Sequence, residues 1–188
     1  MNHADQNQND SPERAIHTLD APIFLTGFMG SGKSTVGQAL ADLLGRPFID
    51  LDTRIEAITN RSIPDIIASD GEERFRQLES ETLREIAKMS NSVIALGGGA
   101  ITREENRRLI LDEGISVWLD APFELCWQRI QQDENIRPLA PDETTARARF
   151  EARRPLYEQS LLHTPVSESQ SSAEIAEEIL RQLGSVVE

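Results

Sequence analysis

The sequence predicts an α/β fold with a parallel sheet, on two observations. Strand and helix signals alternate from Pro22 onward, and a glycine-rich phosphate signature joins the first strand to the first helix. Residues 23–26, Ile-Phe-Leu-Thr, form the apolar first strand. A helix is expected from Lys33 to Leu44, with Gly45 in the C-terminal capping position. Residues 47–50 read as a second strand. Helical stretches follow near 52–59 and 63–69, then a long helix over 72–88 with Phe75, Leu78, Leu83, Ile86 and Ala87 near one face. Residues 93–96 make a third, wholly apolar strand. Thr102 and Glu105 are spaced as a capping box, opening a helix that ends near Gly114. A fourth strand at 115–119 and a helix over 122–132 precede a charged, proline-bearing stretch, 133–143, which suggests a mobile loop. A helix over 144–161, a short strand near 164–167 and a last helix over 173–183 complete the pattern.

The 188 residues suit one domain with its own core. Asn2 to Asp10 is polar and of low complexity, so residues 1–20 are expected to be a disordered tail and 21–188 the folded domain. Hydrophobic residues at 38% and charged residues at 27% are ordinary globular usage. No apolar run approaches the roughly 20 residues of a membrane helix. The first 20 residues lack the apolar centre of a signal peptide, and a cytoplasmic protein with no membrane partner is expected. A net charge of −13 weighs against a nucleic-acid partner and leaves any anionic substrate to local arginines. The single cysteine, Cys126, excludes an internal disulfide and reads as a half-buried apolar residue. His3, His17 and His163 are too scattered for a metal site.

Gly27-Phe28-Met29-Gly30-Ser31-Gly32-Lys33-Ser34 matches G-x-x-x-x-G-K-[ST] at every fixed position, between a strand and a helix as that motif requires. Backbone N–H groups must curl round phosphate oxygens, which glycines permit, and the following helix adds the positive end of its dipole. Lys33 supplies a point charge to the β- and γ-phosphates, and the Ser34 hydroxyl can ligate Mg²⁺.

Such a site wants a carboxylate at a strand end. The third strand runs into Gly97-Gly98-Gly99 with no acid, whereas the second ends Asp50-Leu51-Asp52. In an extended segment residues two apart share a side, so both carboxylates can face the phosphates. Asp50 is the candidate for Mg²⁺ through water, and Asp52 for accepting a proton from an attacking hydroxyl. The triple glycine exposes backbone either to a ligand or to close packing against the phosphate loop.

Arg76 and Glu79, three apart on a helix, are either a surface ion pair or a pocket arginine held by a glutamate. Arg137 lies in the expected mobile loop, where it can close over transferring phosphates. Arg153 and Arg154 precede Pro155-Leu156-Tyr157, and composition does not rank these arginines.

Taken together the segments resemble the shikimate kinase family. Gly27 to Thr35, Asp50-x-Asp52, Phe75-Arg76-x-Leu78-Glu79, Gly97-Gly98-Gly99, Arg137-Pro138-Leu139 and Arg153-x-Pro155-Leu156-Tyr157 occur in that family's order and near its spacing, from about Ile23 to Leu183. The resemblance implies a five-stranded parallel sheet flanked by helices, a three-layer fold of the nucleoside-monophosphate-kinase type with a lid at about 133–145. It implies a monomer that phosphorylates a hydroxyl of shikimate from ATP with Mg²⁺, giving shikimate 3-phosphate for aromatic amino-acid and chorismate biosynthesis. By position, Gly30, Ser31, Gly32, Lys33, Ser34 and Thr35 would hold the ATP phosphates, Ser34 the Mg²⁺, and Asp50 the metal through water. Asp52 would meet the ring hydroxyls, and Arg76 and Arg153 the carboxylate. Gly97, Gly98 and Gly99 would offer backbone, Glu79 would orient the arginines, and Arg137 would be the lid arginine. Arg129 aligns with the adenine-stacking arginine across a one-residue gap, and the lid from Pro138 to Thr145 is a few residues shorter than in some relatives. A gluconate-kinase-like enzyme would share loop and fold but not the combination of Asp-x-Asp with Phe-Arg-x-x-Glu.

Overall fold

The computed structural model describes residues 20–132 and 139–187. Most of the expected tail and residues 133–138 of the expected lid, Arg137 among them, lie outside the described residues. The described strands are β1 (Ile23–Thr26), β2 (Phe48–Asp50), β3 (Val93–Ala95), β4 (Ile115–Asp120) and β5 (Leu162–Pro165). They form one sheet in the order β2-β3-β1-β4-β5, every pair parallel. Parallel neighbours need crossovers. These are the helices α1 (Lys33–Leu44), α2 (Leu51–Thr59), α3 (Ile63–Ile86), α4 (Glu104–Glu113), α5 (Phe123–Gln132) and α6 (Glu143–Tyr157), with α7 (Ser172–Val187) closing the described chain.

Every residue of β1 and β3 is buried, because helices cover both faces of the sheet centre. That burial explains why both strands read as unbroken apolar runs. Phe24, Leu25, Val93 and Ile94 lie at the centre, with Leu40 of α1, Leu83 of α3 and Ile179 of α7 packed on the same core. The C-terminal ends of β1, β2 and β3 open on one edge, and the phosphate loop, Asp50 and the triple glycine leave the sheet there.

The predicted fold class and element order stand, and four local details differ. Asp52 is not in extended backbone: α2 begins at Leu51, and Asp50 is its N-cap, accepting from the Thr53 N–H at 3.1 Å. The carboxylates still line one cleft, but through a strand end and a first helical turn, not through alternation along a strand. The capping box at Thr102 and Glu105 does not form. Thr102 Oγ1 donates to Gly99 O at 2.7 Å inside a 3₁₀ turn (Ala100–Thr102), and Arg103 precedes α4 without a side-chain cap. The last strand begins two residues early, since pairing with β4 runs from Val117 opposite Leu162 to Asp120 opposite Pro165. α6 stops at Tyr157, four residues short of expectation. The break foreseen between 69 and 72 is real: Gly71, at φ 87°, interrupts α3, and residues from both halves of the helix line the cleft.

Candidate active site

The phosphate loop is built on positive-φ glycines. Gly30 sits at φ 77°, and a Cβ there would lie 2.6 Å from the Cys126 carbonyl, so the loop can pack on α5 only with glycine at this point. Lys33 is nearly buried. Its ammonium donates to Gly27 O at 2.9 Å and Phe28 O at 2.8 Å, folding the lysine back across the loop it serves. Gly32 caps α1 without a side chain, leaving the first-turn N–H groups for an anion. Arg129 of α5 lies against this loop, donating to Gly30 O at 3.1 Å. Cys126 is fully buried and its thiol is pushed up to about 11 by that burial, so it takes no part as a nucleophile at neutral pH.

Next to the loop, Ser34 Oγ donates to Asp50 Oδ2 at 2.5 Å. A hydroxyl and a carboxylate oxygen this close offer the hard oxygen pair that Mg²⁺ prefers. Among the described residues no group of three or more His, Cys, Asp or Glu could hold a metal by itself. The donor set therefore fits an ion that draws most of its shell from phosphate oxygens and water.

Across the cleft stand the arginines. Arg76 and Glu79 are both buried and joined at 2.8 Å, so the pair is a pocket arginine held by a glutamate, not a surface ion pair. The other Arg76 terminal nitrogen reaches Glu72 at 3.3 Å, and Glu72 in turn takes Arg149 of α6. Burial raises Glu79 above the usual carboxylate range against the pull of Arg76. Its Oε1 has no hydrogen-bond donor among the described residues. A Cβ on Gly97 would lie 2.5 Å from that oxygen and 2.8 Å from Asp52 Oδ1, so the first glycine exists to let two carboxylates close on bare backbone. The third does the same for Arg76, whose guanidinium would lie 2.5 Å from a Cβ on Gly99.

Of the adjacent arginines, Arg153 is buried at the cleft and Arg154 is half-exposed, paired with Asp120 and Glu158. Arg153 Nη1 donates to Gly98 O at 3.1 Å, and it has no carboxylate partner among the described residues. Burial, with Arg76 and Arg149 nearby, holds its guanidinium below the ordinary arginine value.

One cleft of about 470 Å³ is lined by Ser34, Asp50, Asp52, Arg76, Glu79, Gly97, Gly98, Gly99 and Arg153 together. Gly30, Ser31, Gly32, Lys33 and Thr35 lie in the adjoining loop and the start of α1. Sequence reasoning missed Glu72, Arg149, the apolar lining from Ile63, Pro64, Ile67 and Phe75, and Tyr157, whose hydroxyl donates to Gly98 O at 2.5 Å. Tyr157 was visible only as the last residue of the Arg-x-Pro-Leu-Tyr segment, and nothing in its spacing points to a partner 59 residues away.

A phosphate loop at the end of the central strand of a parallel sheet, facing a carboxylate pair and a charged acceptor wall, defines a P-loop kinase. The family model for shikimate kinase matches residues 29–184. The shikimate kinase of Synechococcus elongatus is 42% identical over 176 residues, 92% of this chain and 90% of the relative. That of Ruegeria pomeroyi is 38% identical over 93% of this chain and 90% of the relative. The solved shikimate kinase of Acinetobacter baumannii in complex with shikimate superimposes with a TM-score of 0.83 at 40% identity, covering 93% of this chain and 98% of that one. A gluconokinase from Sinorhizobium meliloti, at 21% identity and a TM-score of 0.63, shares the fold. The chain belongs to the shikimate kinase family.

Proposed function

We propose that this protein transfers the γ-phosphate of ATP to a ring hydroxyl of shikimate, giving shikimate 3-phosphate, as a monomer in the cytoplasm. The support is the meeting, in one cleft, of a phosphate loop, a carboxylate pair and a buried arginine, Arg153, that makes no close ion pair among the described residues. Family membership supports ATP as donor. A lone, buried cysteine suits a reducing compartment, and exposed large apolar side chains stand apart along the chain, Leu43 on α1, Ile58 on α2 and Met89 in the connection after α3.

The residues divide the work. Backbone N–H groups from Gly30 to Thr35 and the Lys33 ammonium cradle the β- and γ-phosphates, with Arg129 against the nucleotide; Arg137, outside the described residues, is assigned to the same phosphates by the family resemblance alone. Arg76 and Arg153 receive the planar carboxylate as charge-assisted forks, with Glu79 fixing Arg76 and backbone from Gly97 to Gly99 completing the seat. Asp52 accepts the hydrogen bond of the attacking hydroxyl and its proton as that oxygen bonds to the γ-phosphorus and the bond to ADP breaks. Ser34 directly and Asp50 through water would hold Mg²⁺, which when bound neutralises charge on the phosphate oxygens.

ADP release from wild-type protein and ATP·Mg should be followed with shikimate, gluconate and a panel of hydroxy acids, and the product hydroxyl assigned by phosphorus-coupled NMR. Turnover confined to shikimate is expected. Faster turnover with gluconate would overturn the substrate, and none with any acid would overturn the reading.

A further inference from the structure

We infer that Tyr157 is a positioning residue for binding the acceptor's carboxylate, acting through the carbonyl of Gly98; this rests on the acceptor reading above. Tyr157 ends α6 and is 2% exposed. Its hydroxyl donates to Gly98 O at 2.5 Å, and Arg153, one turn earlier on the same helix, donates to the same oxygen at 3.1 Å. Gly98 itself lines the cleft and backs onto the phosphate loop, where a Cβ would lie 3.1 Å from Met29 N. A carbonyl turned into the cleft would present a negative dipole to an incoming carboxylate. Two donors from α6 hold it the other way. In a trans peptide the next N–H points opposite the carbonyl, so anchoring Gly98 O against α6 turns the Gly99 N–H away from that helix.

The hydroxyl's aim is set by packing. The Tyr157 ring stacks on Trp118 at 6.2 Å and 19°, and Trp118 stacks on His163 at 4.4 Å and 12°. Burial also raises the phenol above its ordinary value, so it remains a donor at any working pH. The hydroxyl takes one lone pair of Gly98 O and Arg153 gives that oxygen a single N–H, while the Tyr157 hydroxyl and the Arg153 guanidinium also interact with each other, so the tyrosine holds both the carbonyl and the arginine in place. Without it, the carbonyl draws on Arg153 alone.

The test is Tyr157→Phe, which keeps the ring and removes one oxygen. Wild type is assayed first, because absence of shikimate turnover would sink the acceptor reading and this inference together. Given turnover, Tyr157→Phe should raise the KM and the calorimetric Kd for shikimate about five- to tenfold, the scale of one lost hydrogen bond. The KM for ATP and kcat should stay within twofold, and the penalty should largely vanish when binding of shikimate methyl ester is compared. A role in packing alone would weaken acid, ester and ATP alike, and that outcome, or unchanged shikimate binding, overturns the inference. If Tyr157→Phe does not fold, Trp118→Leu decides. It leaves the hydroxyl but withdraws the ring beneath it, and should raise the shikimate KM two- to threefold with ATP unchanged. No selective change there overturns the inference equally.

Discussion

On the proposed nucleotide side of the cleft the groups offered to a phosphate are mostly backbone N–H groups, set by Gly27, Gly30 and Gly32 within one short turn. On the acceptor side they are side chains from two distant helices, α3 and α6, stacked against the triple glycine, with Arg76 paired to Glu72 and Glu79 and Arg153 donating to Gly98 O. The first wall is local and continuous with the solvent-exposed Ser34–Asp50 pair. The second is buried, and its charges depend on one another. A backbone cradle tolerates loss of a side chain without structural damage, whereas a buried charge cluster does not. Each wall should therefore fail in its own way.

The largest effect is expected on the nucleotide wall. Lys33→Met should lower kcat by about 3–4 kcal/mol of transition-state stabilisation or more, while circular dichroism and melting temperature stay near wild type. Because the ammonium also spans Gly27 O and Phe28 O, a large drop in melting temperature would show that the lysine is as structural as the acceptor arginines and erase the contrast.

Removing Glu79 tests the other wall. Glu79→Ala leaves buried Arg76 with only half-exposed Glu72 as a counter-ion among the described residues, and should cost about 3 kcal/mol of stability in denaturant unfolding. A pH series sharpens this. Unfolded, Glu79 ionises at its ordinary value; folded, burial delays ionisation to higher pH. Between those two values the native state binds more protons, so stability falls as pH rises through that window. Glu79→Gln should remove that part of the slope, and an unchanged slope would assign it elsewhere.

Arg76→Ala and Arg153→Ala should each weaken shikimate by about 1.5–3 kcal/mol, with the KM for ATP little changed. Shikimate methyl ester should bind wild type poorly and lose far less in the variants. Equal penalties for acid and ester would place the two arginines in the fold alone.

The carboxylate pair lies where the walls meet. Asp52→Asn should reduce kcat about 10²-fold with ATP·Mg binding unchanged, since an amide can touch a hydroxyl but cannot take its proton. Asp50→Asn should show the smallest effect, a raised Mg²⁺ requirement partly restored by excess metal. Rescue of Asp52→Asn by metal, with none for Asp50→Asn, would exchange the two roles.

The nucleotide wall was almost wholly legible in the sequence, because its determinants are contiguous: dihedral freedom, a lysine and a hydroxyl must follow one another within eight residues. The alternation of apolar runs likewise identified the sheet, since burial on both faces leaves no polar phase to confuse the reading. Long-range packing decided what spacing could not. Arg76 with Glu79 was either surface or pocket until the turn at Gly71 and the glycines at 97–99 buried the pair. Arg153 and Arg154 are neighbours in sequence, but a helix sends adjacent side chains to different sides, and only contact with Gly98 selects the first. Asp50 and Asp52 reached one cleft by a helix start, since the Asp50 side chain found the Thr53 N–H and ended the strand there. Local chemistry, carried by neighbours along the chain, was determined by the sequence by itself. Which charges are buried, and against which backbone, was decided by tertiary structure, because burial depends on residues brought together from far along the chain.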